Sequence, residues 1–142
     1  MDRQARLTTY FVPFLLVMGF SLHLVNLGQY IEYGHTNLAS IISPTTDCVL
    51  TLWMAYCSAL LILGAGRFFR AYEVTGRKRM VYWVATFYVT ASLPGHAFYI
   101  VTHNQRYFDF FPWWFSPIIM VVFVFFISFF LALSPRAPTE TA

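Results

Sequence analysis

The side chains best suited to chemistry in this chain are four histidines, two of them deep inside uncharged stretches. At about 100° per residue in a helix, Gly19, His23, Asn26 and Tyr30 fall on one face. Tyr88, Ser92, His96, Tyr99 and His103 fall within a similar sector further along, opposite Phe87 and Phe98. A polar group turned toward an apolar surround is left unsatisfied, which costs free energy. Both stripes are therefore expected to point inward and partly toward each other, with Pro94 shifting the phase of the second. His23, Asn26, Tyr30, Tyr88, Ser92, His96 and Tyr99 form the candidate ligand- or cofactor-binding set.

Several chemistries suit this set. Two neutral imidazoles on parallel helices could ligate a b-type haem. A catalytic metal could draw on His23, His96, His103 and Asp47, with Glu32 a further carboxylate, but no HxxxH or ExxH pair exists. A lipid-like or quinone-like molecule could place its polar head between His and Tyr, and either His23 or His96 could act as acid or base. The bland alternative carries equal weight. The same side chains would serve as polar glue, at ~0.6–2 kcal/mol per interhelical bond.

The elements that must carry these residues are read from the charges. Hydrophobic residues make up 58% of the 142 positions and charged residues 11%, against about 25% charged in a soluble domain. Too few charges remain to cover a water-facing surface. The uncharged runs hold 25 residues between Arg6 and Glu32, 19 between Asp47 and Arg67, 26 between Arg79 and Arg106, and 26 between Asp109 and Arg136. A helix needs about 20 apolar residues to cross a bilayer core. The expected fold is all-α, a single domain over 1–142, with four transmembrane helices at 9–31, 48–66, 80–103 and 113–133 and a polar tail at 134–142. The first run is longer than the apolar part of a signal peptide and no small-x-small site follows it, so it is expected to be a retained span.

His23 and His96 lie 14 and 16 residues after the starts of spans that run the same way. At 1.5 Å per residue both sit ~21–24 Å from the same boundary, so they share a depth. Arg3, Arg6, Arg67, Arg70, Arg77, Lys78, Arg79 and Arg136 fall on one side of a four-span layout. Glu32, Asp47, Asp109 and Arg106 fall on the other. The bias of Lys and Arg places the basic side, with both termini, in the cytoplasm. Trp113 and Trp114 at the outer end, and Tyr72, Tyr82 and Trp83 at the inner end, are expected to be interfacial rings. Thr46 or Asp47 is expected to cap the second helix. The short connection 104–112 makes spans three and four an antiparallel hairpin. The second span shows Trp53, Tyr56, Leu60 and Gly64 on one face, with Ala55, Ala59, Gly64 and Gly66 as small residues for close packing. The fourth span, with Ser116 and Ser128 as isolated polar positions, reads as a wall facing lipid. Cys48 and Cys57 would stand ~13 Å apart on one helix, too far for a disulfide.

Absences narrow the field. There is no GxxxxGK[ST] or GxGxxG phosphate loop, no GxSxG elbow, no HExxH site, and no carboxylate within the four spans as bounded. The basic residues sit at boundaries rather than on one face, so nucleic acid is not an expected partner. The layout, with a basic middle loop and a hairpin of spans three and four, resembles that of the EXPERA group of sterol isomerases and sigma-2-type receptors. That group relies on carboxylates within its spans. Here the comparable part of span one reads His23-Leu24-Val25-Asn26, and no site residue is carried over.

The expected function is a small ligand-binding or accessory subunit of a larger membrane assembly, with a redox role among the options. Its expected partners are the bilayer, other membrane subunits or a second copy of the chain, and haem b is a candidate cofactor. The alternative is a membrane enzyme acting on a lipophilic substrate, and a channel or carrier comes third. A bacterial inner membrane is the expected location.

Overall fold

The computed structural model describes residues 2–104 and 112–135. All its regular structure is helical. Helix α1 spans Arg3–Tyr33, a single turn α2 spans Leu38–Ile41, α3 spans Pro44–Ala71, α4 spans Arg77–Thr102 and α5 spans Phe115–Leu131. Three of these, α1, α3 and α4, are long and apolar enough to cross a membrane. The fourth long element, α5, has 17 residues and is ~26 Å long at 1.5 Å per residue. The protein is thus a helical bundle whose elements have the length and composition of a membrane protein. Arg106, Asp109 and Arg136, used above to bound the runs, lie outside the described residues, as do most of the connection 104–112 and most of the tail 134–142.

The helix ends follow local chemistry. Asp2 caps α1 by accepting from the backbone N–H groups of Gln4 and Ala5. At the other end Gly34 takes the left-handed conformation that suits glycine, φ 71°, and its N–H returns to the Tyr30 carbonyl. The sequence reading of the α3 start is corrected. Ser43 is the cap, accepting from Thr46 N–H, while Pro44 fills the first helical position. Asp47 stands one turn inside the helix and is fully buried. Both Pro13 and Pro94 lie within continuous helix.

Cross-helix contacts give the order. Gln4 meets Arg67 and Phe11 meets Cys57, so α1 and α3 are antiparallel. Tyr82 meets Leu61 and His96 meets Asp47, so α3 and α4 are antiparallel. Asn26 meets Ser116 and Gly19 meets Phe123, so α5 also runs against α1. Helix α1 therefore packs between α3 and α5, with α4 on the far side of α3. The fourth seam, between α4 and α5, is by far the thinnest. Two expectations change here. Helices α4 and α5 do run antiparallel, with Tyr88 on Phe123 and Tyr82 on Phe130, but α5 leans on α1 instead of closing a hairpin with α4. Nor is α5 merely an outer wall, because Ser116, Ile119, Phe123, Phe126 and Phe130 are buried.

The end of the bundle near Arg67 is filled by rings. Phe68, Tyr82 and Phe130 pack against one another in tilted and edge-on contacts, and Tyr72 joins through Phe68. Tyr72 and Tyr82 are core residues, not interfacial ones. Tyr82 donates its hydroxyl to the Leu61 carbonyl at 2.7 Å. Trp83, Trp113 and Trp114 do point outward. Of the four small residues singled out on α3, Gly64 is the one at a close approach, since a Cβ there would lie 2.9 Å from the Gln4 side chain. Ala55, Ala59 and Gly66 face out.

Candidate functional site

The opposite end of the bundle is not filled. A cavity of about 310 Å³ lies there, mainly apolar, walled by all five helices or their flanks. Helix α1 contributes Leu15, Leu16, Gly19, Leu22, His23 and Asn26. Ile41, Ile42, Leu50 and Met54 come from α2, its exit and α3. Helix α4 adds Phe87, Tyr88, Val89, Ala91, Ser92 and His96, and α5 adds Phe115 and Phe123. Phe87 and Ala91 line the cavity and also face outward, Phe87 with 73% of its surface exposed. Among the described residues, the cavity thus reaches the surface beside Phe87, next to the thin α4–α5 seam.

Five of the seven candidate residues meet at this cavity: His23, Asn26, Tyr88, Ser92 and His96. Tyr30 does not. It borders a much smaller cleft with Asn26, Leu27, Thr36, Pro112, Trp113 and Ser116. Tyr99 does not either. It is buried and donates to the Ile42 carbonyl at 2.9 Å, tying α4 to the chain between α2 and α3. That bond sets the position of Ile41 and Ile42, which roof the cavity. A second tie supports the same loop, with Gln29 donating to Ser40 Oγ and accepting from Asn37 N–H.

Each cavity histidine is anchored from behind. His96 Nδ1 lies 2.7 Å from Asp47 Oδ1, with Asp47 fully buried and the His96 side chain 17% exposed. Asp47 Oδ2 is buried with no hydrogen-bond partner. His23 Nδ1 lies 3.0 Å from Ser116 Oγ, and Asn26 Nδ2 donates to the same oxygen at 3.0 Å. His23 also rests edge-on against Phe123. That ring closes over Gly19, where a Cβ would lie 2.9 Å from Phe123 Cε2. Glycine at position 19 thus lets α5 approach and bring Ser116 to His23.

Sequence reasoning placed Asp47 among the metal candidates but read it first as a cap. It read Ser116 as an isolated polar position. The available signal was depth: Ser116 follows the outer Trp113-Trp114 pair, and Asp47 opens the second long helix, so both belong to the level of the two histidines. As a metal site the candidate set does not converge. Among the described residues no three His, Cys, Asp or Glu side chains come together in a way that could hold an ion. His103 ends α4 in a left-handed turn and is exposed. His35 is exposed and bonded to the Tyr33 carbonyl. Cys48 and Cys57 are both unpaired thiols on α3, the first exposed and the second buried against the Phe11 carbonyl.

Compared with known protein families, curated proteins and solved structures, the chain matches none. Function has to be argued from the cavity itself.

Proposed function

We propose that the chain is a four-span membrane protein, with both ends in the cytoplasm, that binds a lipophilic small molecule in the outer half of its bundle. The observation that carries this reading is the cavity of about 310 Å³. Its size is that of a small-molecule site, and it has the mostly apolar wall with a few placed polar groups that such sites share. The opening beside Phe87 faces sideways, which suits a ligand already dissolved in hydrocarbon. The four-span layout is supported by the antiparallel order of the helices. It is supported also by the basic cluster Arg67, Arg70, Arg77, Lys78 and Arg79 around the α3–α4 turn. In this reading α5 is the fourth span, and its 17 residues are at the short end of the range that crosses a bilayer.

The test is native mass spectrometry and absorption spectroscopy of the protein released from its membrane in mild detergent. A non-covalent lipophile should accompany the wild-type chain and be lost from Ser92→Phe, which fills the cavity, while the helical circular dichroism stays the same. The same bound mass increment on both chains, or none on the wild type, would sink the proposal. A Soret band would instead make the ligand haem held by His23 and His96. A tightly associated second protein would favour the accessory-subunit form of the same function.

A second reading is favoured by the His96–Asp47 pair. A buried carboxyl group that holds an imidazole at a cavity wall is an arrangement used in acid–base catalysis. In that version the lipophile is a substrate and His96 moves its proton. Turnover of the co-purified molecule by the wild type, absent in His96→Phe, would decide for it.

A further inference from the structure

The cavity has a long axis and two unlike ends. It reaches from Leu15 to Asn26 on α1 and from Phe87 to His96 on α4, ~14–16 Å at 1.5 Å per residue. The levels of these two helices are tied together by Phe123, which meets both Gly19 and Tyr88. Leu15, Leu16, Met54 and Val89 therefore stand at one end, toward the packed rings of Phe68, Tyr82 and Phe130. His23, Asn26, Ser92 and His96 stand at the other, under Ile41 and Ile42. Tyr88 is the polar exception near the apolar end, and its ring lies edge-on to Phe123.

Width and charge limit what can lie along this path. Spread over its length, about 310 Å³ leaves a mean cross-section of ~20 Å². A methylene chain touching its walls at 4.0–4.5 Å fills ~16–20 Å², whereas a fused-ring body sets several carbons abreast. Every acyl chain of a bilayer shares that width, so the head group decides among them. No Lys, Arg, Asp or Glu lines the cavity. An ionic head would lose its water there without gaining a permanent counter-charge. Ser92 indicates which neutral head is suited. Its hydroxyl proton goes to the Val89 carbonyl at 2.8 Å, so toward the cavity it has lone pairs to offer and accepts from a donor.

The mouth lies away from the roof. Of the lining residues, Phe87 and Ala91 are the exposed ones, one turn apart on α4. Counted from Met80, where the expected span begins, Phe87 lies ~10 Å and Ala91 ~16 Å into a core of about 30 Å. The opening thus faces the middle of the bilayer, where acyl chains end. We infer that the cavity takes a neutral single-chain lipid with a hydroxyl head, the head lying outward beside Ser92 and Asn26 and the chain leaving past Phe87 and Ala91 into the bilayer. The inference rests on the membrane reading above and narrows its lipophile to one class.

Photolabelling of the full chain in phosphatidylcholine nanodiscs tests it. The probes are hexadecan-1-ol with a diazirine on its third or on its fifteenth carbon, and labelled peptides are read by mass spectrometry. The third-carbon probe should label α1 around His23 and Asn26 and α4 around Ser92. The fifteenth-carbon probe should label lipid and, on the protein, the outward side near Phe87. Unlabelled hexadecan-1-ol should displace the third-carbon probe at about one tenth of the mole fraction that hexadecane needs, the gain of one good hydrogen bond. Cholesterol, hexadecyl sulfate and hexadecyltrimethylammonium should do no better than hexadecane. Ala91→Trp, at an outward-facing position, should cut labelling by the hexadecyl probe several-fold and spare an octan-1-ol analogue, whose short chain ends within the cavity.

Labels in the reverse order would overturn the inference. So would displacement by hexadecane or a charged analogue as good as that by the alcohol, or unchanged hexadecyl labelling in Ala91→Trp. Displacement by cholesterol alone would overturn it too, yet leave the lipophile reading of the preceding section standing. No displaceable label from any probe would overturn both.

Discussion

Ser116 and Asp47 carry more of this site than their positions suggest. Ser116 joins two side chains of α1 to α5 through one oxygen. Its replacement by alanine strands a half-buried amide N–H and a half-buried imidazole nitrogen together. Buried groups left unpaired cost about 1–3 kcal/mol, so Ser116→Ala should lower the unfolding temperature in nanodiscs clearly. Ser128→Ala, which removes only an exposed bond to the Val124 carbonyl of the same helix, should shift it little. Equal shifts would contradict the role given to Ser116. Asp47 is expected to behave as a holder of His96. Asp47→Asn keeps an oxygen for Nδ1 and should retain the His96 signal in the 15N spectrum of ring-labelled histidine, whereas Asp47→Leu should release the ring and broaden that signal. An unmoved His96 signal in Asp47→Leu would argue against the tether. Helical periodicity alone gathered His23 with Asn26, and Tyr88 and Ser92 with His96. Their partners were not legible in the same way, because Ser116 and Asp47 lie on neighbouring helices. The register between helices is set by packing and by loops, and neither has a period that a sequence displays.

At the scale of the helices, α1 decides how the bundle closes. Its glycines have different duties. Gly19 lies under the Phe123 ring at a distance that no Cβ tolerates, while Gly28 is exposed with nothing near it. Gly19→Ala should therefore push α5 outward, lower stability and detach Ser116 from His23. Gly28→Ala should be neutral or stabilise by up to about 1 kcal/mol, since alanine suits a helix interior better. Thermal unfolding of the two variants side by side checks this, and a Gly19→Ala protein as stable as Gly28→Ala would refute it. The existence of the long helices followed from the charge spacing. Which face of α5 is buried did not. Its residues are almost all Val, Ile and Phe, and without a polar stripe the inward side leaves no mark. The same uniformity made the helix look like an outer wall, when five of its side chains pack inside. The rings of Tyr72 and Tyr82 misled for a related reason. Their amphipathic character fits a headgroup boundary, but Tyr82 finds its hydroxyl partner within the bundle, at the Leu61 carbonyl.

For the whole molecule, the proposed topology makes a direct prediction. In a background with Cys48 and Cys57 replaced by serine and alanine, Cys introduced at His35 should react with a membrane-impermeant maleimide on intact cells. Cys at Thr75 should react only after permeabilisation. Both positions are exposed, so equal labelling from one side would mean that the two turns share a face of the membrane. The thin seam between α4 and α5 has one more consequence. A cavity that opens into a bilayer is never in contact with an empty solvent: acyl chains stand at its mouth at near-molar concentration and compete for every vacancy. Escape from water, which drives apolar ligands into soluble pockets, is already complete before such a ligand arrives. Shape and greasiness then contribute little to choice. Discrimination falls to the few directional groups inside, and measured affinity becomes a mole-fraction quantity that shifts whenever the surrounding lipid is changed.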